Sequence, residues 1–276
     1  MKKTTLITLI IIILILLGFI GGGFAYLKFG KKPAGKPEQG ERVVTQVEKI
    51  NDLELEKRPY VSLVPREDGK ELFLTISNLK LREAKVEYEL EYQAGTMIQG
   101  VFGRIDFGEE TPPVTKKLLL GSCSKGKCKY DEDVTGGTLT LRFSGGERDY
   151  VLREDFTLNL MSEKEGLFTS RNTKVSLDVG SQGLSASTYV VVMLTFGLPK
   201  EVKGELIAGP IGFFTTQQIP LRKEVTLTFK EVEEAEGVKA YGLVKDEWQE
   251  FEEVEVEDNS ISVSVDQLTT FVLIKE

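Results

Sequence analysis

Few residues in this chain carry types and spacings that do chemistry, and each has a plainer reading beside it. Ser122-Cys123-Ser124-Lys125 has the S-x-x-K spacing in which a lysine amine takes the proton of a serine nucleophile, but the S-D-N and K-T-G elements that complete such a site are missing. Gly180-Ser181-Gln182-Gly183 mimics a nucleophile elbow without its G-x-S-x-G spacing. Asp131-Glu132-Asp133 and Glu257-Asp258-Asn259 are oxygen-rich turns able to hold calcium; lacking the spaced D-x-D-x-D-G loop, they read as solvated turns. Histidine is absent from all 276 residues. Imidazole is the commonest general acid/base and a leading transition-metal ligand, so its absence disfavours both chemistries. No catalytic, cofactor or metal site is expected; calcium is the one ion left open.

The two cysteines, Cys123 and Cys128, frame Ser124-Lys125-Gly126-Lys127. Without histidine, two thiols cannot close a four-ligand zinc site. A two-residue turn at Lys125-Gly126, with glycine supplying positive φ, sets Ser124 opposite Lys127 and Cys123 opposite Cys128. That non-hydrogen-bonded pairing brings α-carbons to about 4.5 Å, within disulfide reach. A structural disulfide in an oxidising compartment is the expectation, with a redox pair or free thiols as alternatives.

The elements that must position these residues are strands. From Tyr60 to the end, short apolar/polar alternating runs succeed one another between glycine-rich turns, with no long helical period. Val86, Tyr88, Leu90 and Tyr92 share one face and Glu87, Glu89 and Glu91 the other. Val254, Val256, Ile261, Val263 and Val265 line one face of a hairpin turned at Glu257–Ser260. Residues 188–197, TYVVVMLTFG, read as a central strand buried on both sides. The alternation breaks at 161–172. The expected fold class is mainly β: two tandem antiparallel, immunoglobulin-like β-sandwiches, 59–162 and 163–276. Tyr88, Tyr92, Phe102, Phe107 and Trp248 are the aromatics that would face a glycan if exposed; burial in the sandwich cores is the plainer reading.

Ahead of the strands, Thr4–Leu27 is an uncharged apolar run, long enough to cross a bilayer core as a helix and longer than a secretory signal. A cytoplasmic tail (1–3), a transmembrane helix (4–27, with Leu6, Ile11, Leu16, Phe19 and Phe24 among its anchoring residues) and a linker or stalk (28–58) are expected. Gly18 and Gly22 have the G-x-x-x-G spacing that mediates some helix dimers. Lys28, Lys31, Lys32 and Lys36 come just after the run, and by charge bias alone would hold the rest of the chain in the cytoplasm. The cysteine pair and the composition argue for export. Since the six lysines up to residue 36 contribute +6 to a total of −8, residues 37–276 carry −14. That balance disfavours nucleic acid as a partner and suits an exported soluble surface.

Gly209, Pro210, Phe213, Val225, Leu227, Trp248, Phe251, Thr270 and Phe271 fall in a strand, Gly-Pro-aromatic segment, VTLTF strand, Trp-bearing strand and closing TF strand. In this order they make residues 167–276 resemble a β-sandwich module of bacterial surface proteins. That module is similar to the domain that binds partner proteins in ankyrins and netrin receptors. The chain departs from the pattern at Gln217-Gln218-Ile219, where a Pro-Gly turn is usual. The whole layout resembles single-span envelope proteins of small-genome bacteria. The resemblance implies a non-enzymatic, membrane-anchored extracytoplasmic protein with a structural or protein-interaction role, its partner another envelope protein or a copy of itself. Alternatives are a glycan- or cell-wall-binding module and an accessory subunit of an envelope assembly.

Overall fold

A computed structural model of the chain describes residues 49–216, 220–252 and 254–276. The expected tail, the anchor with Leu6, Ile11, Leu16, Phe19 and Phe24, the tether up to residue 48 and the departure at 217–219 lie outside the described residues. Among the described residues, no helix is long and apolar enough to cross a membrane.

The chain is mainly β and antiparallel. Its first half runs β1 (Tyr60–Pro65), β2 (Glu71–Ser77), β3 (Lys85–Ala94), β4 (Met97–Asp106), β5 (Val114–Leu119), β6 (Gly121–Ser124), β7 (Lys127–Tyr130), β8 (Val134–Ser144) and β9 (Tyr150–Leu160). After one helical turn at Met161–Lys164 come β10 (Leu167–Thr169), β11 (Val175–Asp178), β12 (Tyr189–Leu194), β13 (Glu205–Phe214) and β14 (Pro220–Phe229). The chain closes with β15 (Val238–Val244), β16 (Glu247–Phe251), β17 (Val254–Glu257), β18 (Ser260–Gln267) and β19 (Thr270–Lys275).

Nine strands, in the order β16-β15-β19-β13-β12-β9-β8-β3-β4, form one sheet. A three-stranded sheet, β1-β2-β5, packs on one of its faces through Val61, Leu63, Leu72, Leu74, Leu90 and Leu141. A five-stranded sheet, β10-β11-β14-β18-β17, packs through a second core that includes Phe168, Leu177, Phe213, Leu227, Val263 and Phe271. The two cores meet at β12. Val191 and Met193 point into the first, Val190 and Val192 into the second, and all four are at most 1 % exposed. Alternation sends successive side chains to opposite faces, so the smaller sheets lie on opposite faces of the long sheet. The run of valines is apolar on both sides because both sides are core.

This arrangement alters the expected division. Each half supplies most of one core, but Val191, Met193 and Phe196 of the second half lie in the first core and Met161 of the first half in the second. In addition, β9 of the first half hydrogen-bonds β12 of the second over Phe156–Leu160 and Tyr189–Met193. The long sheet runs across 162/163, and each core takes residues from both sides of it. The break in alternation at 161–172 is real: it holds the helical turn and the three-residue strand β10.

Candidate functional site

The cysteine hairpin has the expected register: Cys123 faces Cys128, Ser124 faces Lys127, and the sulfurs are bonded with α-carbons 4.0 Å apart. Lys125 and Gly126 both take positive φ, 50° and 77°, as a two-residue hairpin turn demands. The hairpin is exposed from Ser122 to Lys129, so Ser122 and Lys125 sit at a solvated tip and not in a cleft. Its base is anchored: the Tyr92 hydroxyl donates to Asp131 (2.7 Å), and Arg66 and Lys70 lie over the Tyr130 ring. Asp131 is therefore engaged as an acceptor. At the other acidic turn, Asp258 and Asn259 form the two positive-φ residues of the β17–β18 hairpin. Among the described residues, no three Cys, Asp or Glu side chains gather as a metal site would need.

The five candidate aromatics part company. Tyr92 is buried, and Tyr88 and Phe107 pack against the first core. Trp248 is half-buried, its indole N–H donating to the Lys200 carbonyl (3.0 Å). Phe102 alone of the five is in the open, 83 % exposed. They do not form an aromatic platform.

Phe102 belongs to β4, the last strand of the long sheet. Its partner on one side is β3, paired without a bulge from Ala94↔Met97 to Lys85↔Asp106; among the described residues its other side has no strand. Val101 and Ile105 face the core, whereas Ile98, Gly100, Phe102 and Arg104 face out. Ile98 is 72 % and Met97 60 % exposed. The two-residue turn after Ala94 and the bond from the Phe107 amide to the Ala84 carbonyl (2.8 Å) put the odd-numbered residues of β4 in hydrogen-bonded pairs with β3. By alternation, the N–H and C=O groups of Ile98, Gly100, Phe102 and Arg104 point to the free edge. Sequence reasoning named Phe102 but missed its setting. The signal was there: Phe102 shares its parity with Gly100 and Arg104, while the apolar partners Val101 and Ile105 have the other.

A second feature lies at the edge of β9, where β12 stops. Residues 49–58, the described end of the expected linker or stalk (28–58), run along this edge. Ile50 bridges Val151, Asn51 N–H donates to the Val151 carbonyl, and the Asn51 amide mimics a strand by giving to Arg153 O and accepting from Arg153 N (2.9 Å each). The Arg58 guanidinium ties the strap together by donating to the carbonyls of Leu53 and Asn51. Beside it is a cleft of about 330 Å³, lined by Asn51, Arg153, Glu154, Asp155 and Arg171 among others. Burial pushes the Glu154 carboxyl up to about 7, against the opposing influence of Arg58 and a 3.2 Å hydrogen bond from Asn51. Glu154 and Asp155 are consecutive strand residues and point to opposite faces. Asp155 instead accepts from Thr138 (2.6 Å). The pair does not converge on one reacting point.

Two buried carboxylates went unnoticed in the sequence. Glu83 accepts from the Tyr150 hydroxyl and the Leu81 amide. Glu71 pairs with Arg66 (2.8 Å) and Lys117 (3.4 Å). Both are structural, since each is consumed by its partners inside the first body of strands. Of the residues on which the surface-module resemblance rests, Phe213, Val225, Leu227 and Phe271 lie in the second core with Phe251 packed against it, and Phe213 and Phe251 are each about 6 Å from Phe271; Trp248 is not in that core.

No protein-family model, no curated protein and no solved structure matches the chain.

Proposed function

We propose that this chain is a membrane-anchored extracytoplasmic protein whose work is protein–protein interaction, with β4 as its docking edge. Residues 4–27 hold it in the membrane, the stretch after them tethers it, and the sheet-rich body stands outside the cell. The resemblance of residues 167–276 to a partner-binding surface module supports this reading, as does a disulfide of the kind oxidising compartments permit. The observation that carries it is the ten-residue edge strand with Phe102 and Ile98 turned to solvent. Edge strands template further pairing, and proteins that do not use them conceal them.

The test is a photo-crosslinking amino acid placed at Phe102, and separately at Gln249 on the opposite edge, in intact cells. The reading expects a discrete adduct from position 102 and little from 249. Equal, diffuse labelling at both positions contradicts it.

A further inference from the structure

The three larger sheets have six edge strands, and five of them carry a device against pairing. β10 has three residues and β17 has four, two of them glutamates. β16 has five, with Glu247 and Glu250. β5 comes after Pro112-Pro113 and carries Lys116 and Lys117. β1 ends in Pro65, and its start is covered where Val61 N–H donates to the Thr195 carbonyl. Short length, charge, proline and covering are the recognised ways to block edge pairing. Among the described residues, β4 has none of them over Met97–Gly103: no proline, no charge, no covering segment, and uncharged Gln99, Val101 and Gly103 on the side turned toward the core.

We propose that β4 pairs antiparallel with β4 of a second copy about a two-fold axis at Gly100, joining two nine-stranded sheets into one. This rests on the reading of β4 as an interaction edge and names what occupies it. In this register Gly100 meets Gly100, and Ile98 meets Phe102 of the second copy twice over. The four exposed apolar side chains thus form two cross-strand pairs of the kind that stabilise antiparallel sheets. The residues brought opposite each other are those whose N–H and C=O groups already face the free edge. Arg104 meets Thr96 of the second copy, so no like charges oppose. The backbone at Gly100 has room for a side chain, since a Cβ built there comes no closer than 3.7 Å to any neighbour.

An isologous contact is self-complementary by symmetry, and a stretch that fits its own inverse needs no other partner. Met97, Ile98 and Phe102 expose on the order of 400 Å² per copy, so about 800 Å² of apolar side chain is the upper bound on what the pair covers, and their outward surfaces stay in water. Standard interfaces start near 1,200 Å². The dimer is therefore weak in dilute solution, and confinement to a membrane plane raises the effective concentration that fills it.

The experiment uses the full chain in its own membrane, with Cys123 and Cys128 left in their disulfide. In the proposed register the α-carbons at Gly100 lie about 5.5 Å apart, within disulfide reach. Those at Arg104 are eight residues apart along the strand, about 27 Å. Gly100→Cys under mild oxidation is expected to give a covalent dimer, Arg104→Cys at least tenfold less. Adding Phe102→Lys to Gly100→Cys lowers the dimer yield at least tenfold, while thermal melting confirms that the variant folds. No dimer from Gly100→Cys, or equal yields from both cysteines, overturns the proposal. A Phe102 photo-adduct to a different polypeptide, with none between copies, overturns the second copy and leaves the interaction reading standing. No discrete adduct at Phe102 removes both.

Discussion

Replacing Glu154 by glutamine isolates the cost of holding a carboxyl under the strap. The folded chain keeps this group protonated up to about pH 7, against 4.5 for an unhindered glutamate, because burial disfavours the charged form more than Arg58 favours it. A group that binds its proton more tightly when folded contributes fully below pH 4.5. That contribution is lost as pH rises through 7. The gap corresponds to about 3 kcal/mol. For a domain of this size, each kcal/mol moves Tm by about 2–4 °C, so roughly 6–12 °C of melting temperature is at stake. Glutamine keeps the acceptor for the Asn51 amide and cannot ionise. Thermal unfolding of the purified full chain at pH 4.5 and pH 8 is the assay. The variant is expected to match the wild type at pH 4.5 and exceed it at pH 8 by up to that amount. Arg58→Ala removes the cation that favours the ionised form and should steepen the wild-type loss. If Glu154→Gln and wild type lose the same melting temperature between the two pH values, the assignment of the raised group is wrong.

Gly137→Ala, where a Cβ would stand 1.9 Å from the Glu91 carbonyl oxygen, should cost about 3 kcal/mol or more in urea denaturation by forcing β3 and β8 apart. Gly100→Ala on the open edge should stay within about 0.5 kcal/mol of wild type in the same assay. Tyr150→Phe removes a donor from the buried Glu83 carboxyl and should cost about 1–3 kcal/mol near neutral pH. Reducing the Cys123–Cys128 bridge should cost about 2 kcal/mol at most, because the closed loop is short. In intact cells a membrane-impermeant maleimide should label these cysteines only after reductant; labelling without it would count against the bridge, and no labelling even after an impermeant reductant would count against export.

Local features of the fold were legible where turn chemistry and alternation act over a few residues. Lys125-Gly126 fixed one hairpin and the Glu257–Ser260 segment another, each with its register, because positive φ at both central residues selects the two-residue turn. The valines of β12 announced burial on both faces, since a strand with one wet side would show polar residues at every second position. The order of strands was not legible. Alternation says which face is buried and is silent on which neighbour pairs, so nothing in Phe156–Leu160 or Tyr189–Met193 predicted that they would join and carry one sheet through both halves. Glu83 was hidden for a related reason: its partner Tyr150 is 67 residues away, and locally it reads as one more loop carboxylate. At the candidate site, the parity of Phe102 was readable and the freedom of its edge was not. Being last in a sheet is a property of topology.

Amide hydrogen exchange on β4 tests the central claim most directly. Ile98, Gly100, Phe102 and Arg104 present N–H groups to the free edge, whereas Val101 and Gly103 give theirs to β3. The full chain in its native membrane is compared with the same chain dilute in detergent. Slow exchange at the four edge amides in the membrane, fast exchange in detergent and no change at Val101 and Gly103 is the predicted result. Equally fast exchange at the four amides in both settings would contradict it, leaving β4 an edge that nothing covers.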